Sequence, residues 1–219
     1  GRINNRELTT VEIVSQPKTE YVYGEKLDLS NAKARITYDS GYVEDNVPFT
    51  ELGEYGVTIG YPNDDGTITA AKDGDVLTVP DHNGKCIELL AQSTHKVPTV
   101  QTDNLTVEKR VLEYGECIVN PIVYDGKTLQ TTGTIAFSNV QNNDKVTATG
   151  EFSFEDFNAG KDKTVNILNV KLDKPFDENY ELSSDNVLSK GNIEKATLTV
   201  LLKEDDISIS DESNILTVT

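Results

Sequence analysis

The 219-residue chain contains no tryptophan, no methionine, two histidines and two cysteines, and it carries 20 Lys and Arg against 37 Asp and Glu. Each shortage closes off a class of chemistry. A formal net charge of −17 repels nucleic acid and anionic lipid, because phosphate binding needs clustered cations. Two cysteines are too few for a disulfide framework, and Cys86 and Cys117 lack the CxxC spacing of a zinc site. They read as two unpaired thiols used as small hydrophobes, with a single disulfide as the alternative. No stretch approaches the roughly 18 apolar residues of a membrane-spanning helix, so no membrane insertion is expected. The chain starts at Gly1 and has no methionine anywhere, so it reads as a piece of a longer polypeptide, with residues 1–9 as tag scar and linker.

What is present is a β pattern. Hydrophobic residues make up 36%, with nine Tyr and six Phe, enough for a packed core. Ala32, Ala34, Ile36 and Tyr38 alternate with Lys33, Arg35 and Thr37, which puts one face of a strand in a core and the other in water. The same period recurs in Val146–Thr149, Phe152-Ser153-Phe154 and Ala196–Val200. Turn signals separate these runs: Asn63-Asp64-Asp65-Gly66, Asp73-Gly74-Asp75, Asn83-Gly84, Asp125-Gly126 and Asn142-Asn143-Asp144. Short turns of helix are expected at most near Phe49–Tyr55 or Phe154–Asn158. Strands of this length with turns about every 8–12 residues predict an all-β chain of two modules, each a sandwich or a barrel. The first module spans residues 10–108 and the second 109–203. The short connector Glu108-Lys109-Arg110 has neither Gly nor Pro, which predicts a semi-rigid join. Residues 204–219 form either a final strand or the start of a further repeat.

Two stretches resemble known families. Pro17-Lys18-Thr19-Glu20-Tyr21-Val22-Tyr23-Gly24-Glu25-Lys26-Leu27-Asp28-Leu29, followed by the hairpin Tyr38-Asp39-Ser40-Gly41, resembles the bacterial Ig-like repeats of Gram-positive surface proteins. There Gly24 permits a turn of positive φ, and Leu27 and Leu29 point into one core. The stretch from Gly53 to Asp81 is longer and more polar than the usual repeat. Tyr124-Asp125-Gly126-Lys127-Thr128, Gly160–Val165, Asn179-Tyr180 with Leu182, and Ile193–Val200 resemble, in that order, the YDG repeats of bacterial surface and filamentous proteins. Together the resemblances imply two tandem Ig-like β-sandwich modules in a stalk or adhesin array outside the cell, and neither implies a catalytic centre.

The residues themselves assign no catalytic, cofactor-binding or metal site. His82 and His95 sit in turn-like and loop-like contexts with no nucleophile and orienting group beside them, and read as solvated surface. The oxygen-rich turns at Asp64, Asp65, Asp73, Asp75, Asp81, Asn142, Asn143 and Asp144 lack the spacing of an EF-hand loop and read as turn formers. Adjacent acids such as Glu155-Asp156 point to opposite faces of a strand and do not make a glycosidase pair. Tyr124 is expected to fill core space with its hydroxyl on a backbone partner, and Asp125-Gly126 to shape a tight turn. No diagnostic motif marks a Lys–Asn isopeptide bond. The expected role is a non-catalytic, monomeric stalk or adhesion segment of a secreted or cell-wall-anchored bacterial protein, partnered by a host or matrix protein or a glycan. The alternative is an accessory, carbohydrate-binding region of a large secreted hydrolase.

Overall fold

The computed structural model describes residues 6–199 and the backbone of two short strands at 207–209 and 216–218. The protein is all-β, with 45% of residues in strands and 7% helical. Strands β1 (Leu8–Ser15), β2 (Glu20–Val22), β3 (Lys33–Tyr38), β4 (Val43–Pro48), β5 (Val57–Pro62), β6 (Ile68–Ala70), β7 (Glu88–Ala91), β8 (Val100–Gln101) and β9 (Thr106–Glu108) make up the first half. They form a three-stranded sheet in the order β1-β3-β4 and a four-stranded sheet in the order β6-β5-β7-β8. Strand β2 stands apart and pairs in parallel with β9, Glu20 opposite Thr106.

The period of two explains the packing. Ala32, Ala34 and Ile36 are fully buried while Lys33 and Arg35 face water, and Arg35 is spanned by the carboxylate of Asp45 across the β3–β4 hairpin. The other sheet contributes Val57 and Leu89 to the same core, which Leu27 and Leu29 close. Fully burying one such Leu or Ile side chain stabilises by about 1.5–3 kcal/mol. Gly24 has φ +98°, a conformation open to glycine, and the turn it makes ends β2. The expected helical turn over Phe49–Tyr55 is present as a 3-10 turn that buries Phe49 and Leu52. The one expected at Phe154–Asn158 is absent; helical turns occur instead at Val79–His82 and Phe176–Glu178, behind Thr78 and Pro175 as caps.

The second half contains β10 (Arg110–Leu112), β11 (Ile118–Val119), β12 (Ile122–Val123), β13 (Gln130–Thr131), β14 (Gly133–Thr134), β15 (Ala148–Phe154), β16 (Gly160–Leu172), β17 (Tyr180–Leu182) and β18 (Val187–Glu194). One five-stranded sheet, β12-β18-β16-β15-β13, carries this half, with the long β16 at its centre. Its inner face presents Phe152, Phe154, Val165, Ile167 and Ile193. Gly191 lies where a Cβ would stand 2.7 Å from Val119 and 3.1 Å from Phe154, so only glycine lets the covering segment come that close to the sheet. Cys86 and Cys117 are free and buried, one in each half.

Two expectations are corrected. Residues 8 and 9 are not linker: both lie in β1, and Leu8 is buried. The alternation of Ala196–Val200 predicts a strand, but the last strand of the sheet is β18; Ala196–Thr199 has no strand partner among the described residues, and Leu198 is 85% exposed. Val200 lies outside the described residues. The tail strands β19 (Ile207–Ile209) and β20 (Leu216–Val218) pair antiparallel with each other.

Candidate functional site

The most elaborately built polar site lies where the two halves meet. The turn at Gly24 carries Tyr23 past the end of the first core, where its ring meets that of Tyr180 edge to face, centroids 5.0 Å apart at 84°. Together with Leu112 they form a separate small core, with Phe137, Val140, Val146, Leu172 and Phe176 packed around it. Both hydroxyls donate to the same oxygen, Asp144 Oδ2, at 2.9 Å from Tyr23 and 2.7 Å from Tyr180. The Tyr180 hydroxyl also accepts the amide of Gln141 at 2.9 Å. Asp144 is presented by Asn142 and Asn143, two residues of positive φ, 52° and 58°. Burial pushes both tyrosine hydroxyls above their ordinary pKa, and the Asp144 carboxylate adds to the rise, so both remain donors.

The connector is fastened on both sides. Arg110 Nε donates to the carbonyl of Tyr23 at 2.7 Å, and Lys109 Nζ to the carbonyl of Asp177 at 2.5 Å. Asn179 joins the halves directly: its backbone carbonyl accepts the amide of Arg110 at 3.0 Å, and its Oδ1 accepts the amide of Val79 at 2.8 Å. A cleft of about 850 Å³ runs beside the connector, lined among others by Asn83, Glu108, Glu113, Asn139 and Glu181. Two asparagines occupy the strand edge in this region. Asn139 donates to the carbonyl of Val111 and accepts from the amide of Glu113, and Asn83 accepts from the amide of Val107. Such an arrangement fixes the relative placement of two bodies.

The residues weighed for chemistry are dispersed. His82 is half-buried, not solvated: its ring packs edge-on to Tyr61 at 4.8 Å, and Nδ1 accepts the amide of Thr78 at 3.0 Å. The Thr78 hydroxyl lies 3.4 Å from that nitrogen and donates to Asp81, so this side of the ring is taken up by local contacts of the turn. His95 is exposed, 3.7 Å from Asp39. The acidic turns serve backbone amides: Asp73 holds Leu29, Asp75 holds Lys72, and Asp65 holds Thr67. No group of three or more His, Cys, Asp or Glu able to hold a metal occurs among the described residues. Asp64 and the exposed Asp81 contribute to turns on the surface of the first half.

Asp156 accepts from Lys163 at 2.6 Å and from the amide of Asn158, so it is an ion-pair and turn residue, with Glu155 beside it exposed. Lys85 Nζ lies 3.4 Å from Asn63 Oδ1, with no buried acid among its hydrogen-bond partners. Tyr124 does not fill the core: it is 40% exposed, and its ring folds back over the turn so that a Cβ on Gly126 would stand 3.6 Å from its hydroxyl. Gly126 at φ +76° makes the tight turn, and Asp125 fastens it by accepting the amides of Lys127 and Thr128 and the Thr128 hydroxyl. Those donors hold its carboxyl down to about 2.

No curated protein and no solved structure matches the chain. A family model, described as the YDG domain, matches residues 121–187. That span holds the Tyr124-Asp125-Gly126 turn, the central strands β15 and β16, and Asp144 and Tyr180 of the joint, and it is narrower than the 109–203 read from the sequence.

Proposed function

We propose that this chain is a non-catalytic spacer and adhesion segment of a secreted or cell-wall-anchored bacterial surface protein. In this reading a bacterial Ig-like module over residues 10–108 is followed by the YDG-type module. The observation that carries the reading is the joint. Only Lys109 separates β9 from β10, and Tyr23, Tyr180 and Asp144 hold the two bodies in one orientation. A segment whose task is to set distance and direction needs such a joint. The YDG match supports a repeat-type domain, and the charge of −17 suits a surface exposed to solvent.

The experiment is small-angle scattering combined with labelling of intact source cells by antibody against this segment. A spacer gives a radius of gyration well above the roughly 17 Å of one compact body of this length, and labels without permeabilisation. A value near 17 Å, or labelling only after permeabilisation, overturns the reading.

A further inference from the structure

The strand order at the two ends of each half points to a mechanical role. In the first half, β2 near the start and β9 at the end are parallel neighbours, in register from Glu20 opposite Thr106 to Val22 opposite Glu108. The amide of Thr106 donates to Thr19 and the amide of Tyr23 to Glu108, so the ladder extends at both ends. In the second half, β12 and the last strand of the sheet, β18, are parallel, Ile122 opposite Ile193, and the amide of Tyr124 donates to Glu194. Parallel neighbours cannot be joined by a hairpin, so each of these pairs requires the chain to cross from one side of its half to the other between the two strands.

We infer that both halves are built to carry tension along the chain, with these parallel pairs as the elements that resist it. The inference takes its biological meaning from the spacer reading, but it stands on topology. Pulling the N-terminal side backward and the C-terminal side forward slides one parallel strand lengthwise along the other. Every hydrogen bond of the pair is then strained together, and the pair yields only when they fail as a group. Had the same strands been antiparallel and joined at a hairpin, the bonds would open one after another at low force. Forced unfolding is governed by the barrier to leaving the native state, so loading the bonds together raises resistance without raising equilibrium stability.

The sheets around the pairs add to the effect. Strand β1 lies lengthwise along β3 from Leu8 to Ser15, and β18 lies along the long β16 as well as along β12, so the first strand of the first half and the last strand of the large sheet are each held along their length. The connector contributes by having no slack. Arg110 and Lys109 are fastened to opposite halves, to Tyr23 and to Asp177, and force arriving at β9 passes into β10 across a single residue.

Single-molecule force spectroscopy on the full chain tests this by changing the direction of pull while leaving the fold intact. In one geometry the handles sit at the two ends. In the other they sit on cysteines introduced by Lys18→Cys and Asn104→Cys, both exposed and both at the same end of the β2–β9 pair, so that pulling peels the strands apart. The native Cys86 and Cys117 are buried and do not compete for surface labelling. The expected result is a high-force event for the first half in the end-to-end geometry and loss of that event in the peeling geometry. Equal forces in the two geometries overturn the inference. Should the double variant fail to match the parent's thermal unfolding, Glu20→Cys with Thr106→Cys gives the same peeling direction one turn of the ladder further in. Failure of the spacer reading is read separately, by scattering and cell labelling, and leaves the force comparison standing.

Discussion

The two halves solve the problem of burying an all-β chain differently. The first closes two sheets over a shared core that draws on strands, the 3-10 turn and the loops alike, from Leu8 to Val107. The second rests on a single large sheet whose inner face is covered by short segments, and its core is correspondingly small. What the second half lacks in core it regains at the joint, where Leu112 and Tyr180 are buried together with Tyr23 of the first half. The lesson is one of dependence: the first half has what it needs within itself, while the second leans on its neighbour.

Truncation in the two cores is the strongest way to break that contrast. Phe154→Ala, at a site 1% exposed, is expected to cost about 3–5 kcal/mol and Leu89→Ala, equally buried, about 2–5 kcal/mol. In chemical denaturation followed by far-UV circular dichroism, Phe154→Ala should split unfolding into two steps with the second half going first. If it lowers the stability of both halves together, the halves are one cooperative unit and the contrast fails. Next comes Gly24→Ala. The new methyl would meet Gln141 Cγ at 2.4 Å in a backbone of φ +98°, so about 1–3 kcal/mol of strain falls on the joint and Gln141 must move. Hydrogen exchange should quicken around Asp144 and Tyr180 while the β1–β3–β4 sheet stays protected.

A smaller and more specific loss is expected from Tyr180→Phe, which keeps the ring and removes the donor to Asp144, at about 1.5–3 kcal/mol for a hydrogen bond to a charged group. It also carries a pH signature. The folded pKa of Tyr180 is raised above its ordinary 10.0, so its stabilising effect is present below that value and lost as pH rises beyond it. Alkaline titration should therefore open the joint of the parent and affect Tyr180→Phe less, with intermodule contact read by scattering. The smallest effect belongs to the YDG turn. With a carboxyl held near 2 against an ordinary 3.8, Asp125 stabilises above 3.8, and that effect fades as pH falls toward about 2. Asp125→Ala should lower the melting temperature slightly at neutral pH, and the gap should close across that acidic window. A gap that persists at lower pH would mean the turn is held by its glycine alone.

Much of the fold is written in alternation. Ala34, Ile36, Phe152 and Phe154 go inward where a period of two puts them, and the turns at Gly41, Gly66, Gly74, Gly84 and Gly126 all take positive φ. The same rule misreads positions decided by what lies far away in sequence. Alternation puts Tyr23 beside Tyr21 in the first core, yet the turn at Gly24 hands it to Tyr180 and Asp144. Tyr124 has the composition of a core residue and lies on the surface, because its strand is two residues long and the turn begins at once. Ala196 to Thr199 has a strand's pattern without a strand's neighbour among the described residues. The joint could not be read locally: Asn179 and Asp144 each look like turn residues, and only the fold brings them to Val79 and the two hydroxyls.

The asparagines beside the connector have a consequence for folding in a crowd. Tandem β-rich units face a hazard at synthesis and after unfolding, because a strand of one unit can dock on the bare edge of the next and trade places with its rightful occupant. Asn139 answers both a carbonyl and an amide of the strand leaving the connector, and Asn83 answers an amide of the strand entering it. An intruding strand finds those groups already engaged and must displace a side-chain amide to gain a foothold. At the place where two units are forced closest together, mispairing between them is blocked by two side chains.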